Sequence, residues 1–220
     1  MRTGIASHEQ EAGMSSRSRA TLHAIVLAAG ASSRFGSPKQ LVRFEGQPLI
    51  QRVIAGATEL AGSAVTVVLG AYAAEIASTL PPGSASIIVN REWQQGIASS
   101  IRAAVARLPG ACDGVLLLLA DQPLVGSHSL NRLAAAWRRQ PRSIVASRYG
   151  AVTGVPAIFP RWCFSDLGAL RGDQGARVLL RRYADHVVRL ANPEAEVDID
   201  YPEDLLNLRS DEPPIADVKP

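Results

Sequence analysis

Cysteine is scarce in this chain. Two occur in 220 residues, Cys112 and Cys163, far apart and outside any paired motif. That excludes a disulfide framework and a zinc ribbon, leaves both as packing residues, and fits a reducing cytoplasm. Long apolar runs are also missing. The longest, "VLLLLA" at 115–120, is far too short to span a bilayer, and the opening "MRTGIASHEQEAGMSSRSRA" has no apolar signal-peptide segment. Excess charge is small as well. The formal net charge is +3, and no basic run exceeds the pairs Arg138-Arg139 and Arg181-Arg182, so neither nucleic acid nor a membrane surface is implied as a partner. Four histidines share no spacing; His23, His128 and His186 read as structural or solvated, and His8 falls in the leader.

With 47% hydrophobic and 20% charged residues, the chain has the composition of one ordinary globular domain, expected at 21–209. Residues 1–20 read as a disordered leader and 210–220 as a flexible tail. Between them, short β-branched or leucine-rich runs alternate with amphipathic stretches. Strands are expected at 23–28, 64–70, 86–89, 114–120 and 143–147, and helices at 48–60, 72–79, 98–107, 128–139, 174–184 and 202–208. Pro48 and Pro202 suit first helical positions, and Ser127 suits a cap. Runs apolar throughout, such as 114–120, imply a sheet covered on both faces. The expected architecture is a three-layer α/β/α sandwich around a mostly parallel, Rossmann-like sheet.

Such sheets bind ligands at the carboxyl ends of their strands. The first strand runs into "LAAGASSRFGSPKQL" (27–41), where small residues let backbone amides approach a large anion and Arg34 and Lys39 offer cations. A polyphosphate is the natural occupant. The spacing fits neither a Walker A loop nor the G-x-G-x-x-G of dinucleotide folds. The strand "VLLLLA" drives into Asp121, whose carboxylate so close to an apolar run calls for a cation such as Mg²⁺. In "EVDIDYPEDL", Asp198 and Asp200 would lie on one side of a strand with Ile199 on the other, both able to face one ion. Glu203 and Asp204 complement a helix dipole.

The pattern L-A-A-G-x-S-x-R-x-G-x-x-K-x-L at 27–41 resembles the nucleotidyltransferase superfamily that includes molybdenum cofactor cytidylyltransferases and guanylyltransferases. Ala29, where guanylyltransferases usually carry Gly, is similar to the cytidylyltransferase branch. Further matches are "ADQP", "NREWQQGIASSI", "TGVPAIF…LRGDQGARVLL" and "DIDYPEDL", so the resemblance spans residues 22–208. It implies the fold type of nucleotide-diphospho-sugar transferases. It also implies nucleotidyl transfer, CMP from CTP favoured, onto the terminal phosphate of molybdopterin, with pyrophosphate released and Mg²⁺ or Mn²⁺ as cofactor.

The residues follow by position. The resemblance gives Leu27, Ala28, Ala29, Gly30, Ser32, Ser33, Arg34 and Lys39 to the triphosphate, with Arg34, Lys39 and Asp121 catalytic. Gly70, Asn90, Gly96, Ser99 and Ser100 go to base and ribose; Asp121, Asp198 and Asp200 go to the metal. Gln122, Pro123, Gly154, Pro156, Gly172, Asp173, Gly175 and Arg177 go to the acceptor, with Gly172–Arg177 opening a helix towards its phosphate. Val155 stands where the family often has His, and Tyr201 where it has a helix-capping Thr. A molybdoenzyme or its maturation factor is the implied protein partner. Two rivals keep part of this reading: the same transfer to another phosphorylated acceptor, and a non-catalytic cofactor-binding chaperone.

Overall fold

The computed structural model describes residues 20–210; the expected leader and C-terminal tail lie outside the described residues apart from their innermost positions. Among the described residues nine strands form in chain order: β1 Leu22–Ala28, β2 Arg43–Phe44, β3 Gln47–Pro48, β4 Val65–Leu69, β5 Ser86–Val89, β6 Gly114–Leu119, β7 Ile144–Tyr149, β8 Val152–Pro160 and β9 Val187–Ala191. The α-helices are α1 Leu49–Ala61, α2 Ala73–Thr79, α3 Ile97–Val105, α4 Ser127–Arg139, α5 Phe164–Ala169, α6 Arg177–Arg182 and α7 Pro202–Ser210. The main sheet has seven strands in the order β5-β4-β1-β6-β8-β7-β9, and β2-β3 is a small separate hairpin. All main-sheet strands run parallel except β8, which is antiparallel to both neighbours.

Alternation along the central strands explains why their sequences are apolar throughout. On β1, Ala24 and Val26 pack into one core while Ile25 and Leu27 pack into the other; on β6, Leu116 and Leu118 oppose Val115 and Leu117. Successive side chains of a strand point to opposite faces, so a strand covered twice cannot show a polar phase. Ile50, Val53, Leu130 and Trp137 of α1 and α4 close the first face; Ile101, Leu167 and Leu179 of α3, α5 and α6 close the second. This is the expected three-layer α/β/α sandwich.

Several local expectations need correction. β8 is the longest strand, although its sequence "VTGVPAIFP" carries a glycine and two prolines that mask a strand signal. Its pairing to β7 jumps from Ala146–Ala157 to Ser147–Gly154, so Val155 and Pro156 sit in a bulge where the missing proline N–H breaks no ladder bond. Asp198 and Asp200 lie in an extended coil, not a strand. Ile199 between them is buried and donates its amide to the Asp121 carbonyl at 2.9 Å, so the alternation is kept without a sheet partner. Gly126, not Ser127, caps α4, with Ser129 Oγ donating to its carbonyl. Gly172, left-handed, and Asp173 form a turn, and α6 begins only at Arg177. Among the described residues no helix is long and apolar enough to cross a membrane.

Candidate functional site

Strands β1 and β6 end side by side, and beyond their carboxyl ends opens a cavity of about 490 Å³. Of the residues assigned from sequence, Leu27, Ala28, Ala29, Gly30, Ser32, Ser33, Arg34, Lys39, Gly96, Ser100, Asp121, Asp173 and Asp200 line it. Among the described residues, the loop amides of Gly30, Ala31, Ser32 and Ser33 donate to no protein acceptor. Ser32 is left-handed, with φ 52°. Free amides in such a turn form a concavity suited to anions.

Lys39 is mostly buried and bridges two carboxylates, Asp121 Oδ2 at 2.7 Å and Asp200 Oδ1 at 2.8 Å. Burial works against its charge, but Asp121 and Asp200 overcome that and hold its pKa above the ordinary lysine value. Asp200 also meets Arg34 at 3.2 Å, and its carboxyl is held below the usual range by the Lys39 hydrogen bond first and then by both cations. Asp204 fixes the approach of Asp200: from the first turn of α7 its carboxylate reaches back to accept the amides of Asp200 and Tyr201, each at 2.8 Å, the half of a capping box that does not depend on the residue at 201.

Asp121 Oδ1 is buried without a hydrogen-bond partner. Asp198 keeps solvent on one side yet is pushed up to about 6, by desolvation and then by the Asp121 charge. An orphaned carboxylate oxygen beside a second, repelled carboxylate is a pair that fits a divalent cation. Among the described residues no three acidic, histidine or cysteine side chains converge on one metal position, and Asp200 is turned to Lys39 and Arg34.

Other assigned residues stand back from the cavity wall. Asn90 is buried and donates to Ser99 Oγ at 2.7 Å and Ser100 Oγ at 3.0 Å, while its carbonyl takes the Glu92 amide; Ser99 donates to the Gly96 carbonyl. These bonds tie the turn before α3 to its first helical residues. Gly70 supports the wall from behind: a Cβ there would come within 2.6 Å of the Ala29 carbonyl and of Trp93. Gly96 is left-handed, and a Cβ on it would strike Asp173 and the Gly172 carbonyl, so it permits the close approach of the 172–176 turn. Gln122 Nε2 donates to the Ala195 carbonyl at 2.8 Å, next to Pro123. Arg177 donates to Tyr149 Oη at 3.0 Å, and Gly154 packs under that same hydroxyl beside Pro156; Gly175 lies against Ile97. Trp93, Gln94, Ile97 and Gln40 line the cavity but were not assigned from sequence. Gln40 stands at the unspecified position of K-x-L and Trp93 is given no role in "NREWQQGIASSI", so only their contacts reveal them. Cys112 and Cys163 are free and buried, the Cys163 thiol pushed up to about 12 by burial.

The sequence matches the MobA-like NTP transferase domain over residues 24–187. Bifunctional protein GlmU of Anaeromyxobacter dehalogenans (strain 2CP-C) is 38% identical over 59% of this chain, and the match spans only 28% of that relative's length. Nicotine blue oxidoreductase of Paenarthrobacter nicotinovorans is 29% identical over 84% of this chain and 94% of its own. Among solved structures, Rv0371c of Mycobacterium tuberculosis H37Rv superposes with a TM-score of 0.76 at 27% identity, covering 88% of this chain and 100% of that one. Its complex with manganese matches at TM-score 0.72, 26% identity, and 87% and 100% coverage.

Proposed function

The chain belongs to the MobA-like NTP transferase family and is a nucleotidyltransferase, and on that premise we propose that it transfers CMP from CTP to the terminal phosphate of molybdopterin. Residues 21–209 act as one catalytic domain, in the cytoplasm. The observation that carries the reading is Lys39, held between Asp121 and Asp200 in the cavity that a loop of unpaired amides also lines. The loop receives the triphosphate through those amides and Arg34, and Lys39 faces the charge that grows at the α-phosphate. A phosphate oxygen of the acceptor attacks the α-phosphorus in line, the α–β bridging bond breaks, and pyrophosphate leaves. The acceptor oxygen is already ionised at neutral pH, so no general base is required. Asp121 and Asp198 would hold a divalent cation, Mg²⁺ or Mn²⁺, which supplies further charge neutralisation at the phosphates. Asp200 serves as a third ligand only if it leaves Lys39.

Base choice rests on Ala29, which lines the cavity at a position where the family's other branch usually carries glycine. Pyrophosphate release is measured with each of the four triphosphates, with and without the molybdenum cofactor. CTP with the cofactor is expected to be fastest, and Ala29→Gly is expected to move the CTP/GTP ratio towards GTP. A wild-type preference for GTP overturns the base assignment; release without any pterin acceptor overturns the acceptor.

A second reading, transfer to a different phosphorylated acceptor, is favoured by the acceptor flank. Arg177 and Gly154 are engaged with Tyr149 and lie outside the cavity wall, so of the residues assigned to the acceptor Asp173 alone lines the cavity. Relatives named for other chemistry, such as nicotine blue oxidoreductase, fit that breadth. A non-catalytic chaperone is disfavoured, because simple binding has no need of Lys39, Asp121 and Asp198 together.

A further inference from the structure

Gln40 is buried beneath the anion-receiving loop, with 3% of its surface exposed. A buried primary amide is costly unless its donors and acceptor are met. Here every partner belongs to the loop or to the end of β1 that leads into it. Nε2 donates to the Ala28 carbonyl at 3.2 Å and to the Gly30 carbonyl at 3.1 Å, and Oε1 accepts the Ser32 hydroxyl at 3.3 Å. The Ser32 hydroxyl in turn accepts the Lys39 amide at 3.2 Å.

Two consequences follow from peptide geometry. A trans peptide is planar, with C=O and N–H pointing opposite ways, so drawing the Gly30 carbonyl towards Gln40 turns the Ala31 amide away from it. That amide is one of those with no protein acceptor. Ser32 occupies the left-handed region, uncommon for a residue with a Cβ, and its hydroxyl is the atom that Gln40 and the Lys39 backbone hold. One side chain therefore sets two peptide orientations and braces the strained residue that follows them.

We propose that Gln40 is a positioning residue, which keeps the Gly30–Ser33 loop in its polyphosphate-receiving shape and couples that shape, through Ser32, to the neighbouring Lys39. It touches no reacting atom. The inference rests on the nucleotidyl-transfer reading, and the test separates the two.

Calorimetric binding with the full chain and Mg²⁺ uses three probes: CTP, CMP and inorganic tripolyphosphate. Gln40→Met keeps the volume and removes the hydrogen bonds. Gln40→Glu keeps the acceptor for Ser32 but sets a carboxylate against two carbonyl oxygens. Ser32→Ala removes only the braced hydroxyl at a partly exposed position, so it remains informative if the interior variants do not fold. In folded Gln40→Met, affinity for CTP and tripolyphosphate is expected to fall about tenfold while CMP changes less than about twofold. Gln40→Glu loses more, Ser32→Ala less, and KM for CTP rises more than kcat falls. Equal losses for CMP and CTP overturn the inference, since general loosening has no reason to single out the outer phosphates. Unchanged CTP affinity in folded Gln40→Met, or in Ser32→Ala where the former is unfolded, overturns it too. Wild-type protein that binds neither CTP nor tripolyphosphate overturns the nucleotidyl reading, and this inference with it.

Discussion

The two flanks of the β6 strand end are built on opposite plans. On the β1 side, polar side chains converge on open space: Lys39 with Asp121 and Asp200, and free amides above Gln40. On the β8 side, polar side chains are spent on one another: Arg177 on Tyr149, and Asn192 Nδ2 on Ser147 Oγ, which donates to the Pro156 carbonyl. The first flank stores unmet hydrogen bonds and repelled charge, features that make sense only with a ligand in place. The second holds no repelled charge: its cation and hydroxyls are paired internally, and the amide oxygens Asn192 Oδ1 and Gln122 Oε1 are left buried without a partner among the described residues. The lesson is that the structure commits to a donor before it commits to an acceptor.

That contrast is most severely challenged at Asp121. Asp121→Ala is expected to cut metal-dependent turnover roughly 10³-fold while the far-UV circular dichroism stays native, because the carboxylate lies at a strand end and outside the core. Full activity in the folded variant would remove the donor flank's central member. Lys39→Ala should come next, lowering kcat about 10²-fold and raising KM for the nucleotide much less. A change confined to KM would reassign the lysine to ground-state binding.

Arg177→Ala sharpens the comparison from the other side. One hydrogen bond to Tyr149 at an exposed position is at stake, so acceptor KM should rise about fivefold or less with nucleotide KM unchanged. An effect on nucleotide KM would show that the flanks are not separate. Asp198→Asn gives the smallest effect, read as pH dependence of stability without metal. The folded-state pKa, about 6, lies above the ordinary aspartate value of 3.8, so the folded protein holds a proton that the unfolded chain releases between those values. Stability from this group is present at low pH and lost as pH rises through 6. The Asn variant should therefore melt slightly higher than wild type at pH 7.5, with the difference gone near pH 4. Mg²⁺ should reverse the order at pH 7.5 by favouring the ionised aspartate.

The parallel half of the sheet was legible in the sequence because strands buried on both faces must be apolar throughout, and β1, β4 and β6 fall within two residues of their expected limits; β5, a mostly exposed edge strand, was legible from its β-branched run alone. β8 was hidden by the residues that make its bulge, a glycine and a proline that locally argue against a strand. The loop of small residues was legible because little besides an anion site calls for that composition directly after a buried strand. Gln40 was not, since a glutamine between a lysine and a leucine looks the same whether it faces solvent or braces a loop. Asn90 and Ser99 illustrate the converse: polar residues in a family-like pattern suggest ligand contacts, yet in the structure they complete each other's hydrogen bonds. Pattern reveals chemistry best where burial leaves no local partner, as at Asp121.

The three tryptophans divide the molecule for optical measurement. Trp137 is fully buried, stacked against the backbone of Gly114, so its emission follows the integrity of the sheet and helix layers. Trp162 is 41% exposed on the far segment after β8, near Tyr183, and is dispensable as a probe. Trp93 stands in the cavity wall beside Ala29 and Gly70. With Trp162 replaced by phenylalanine, quenching of Trp93 by an arriving base and the red shift of Trp137 on unfolding become separate signals from one sample, so occupancy and melting can be followed without any label.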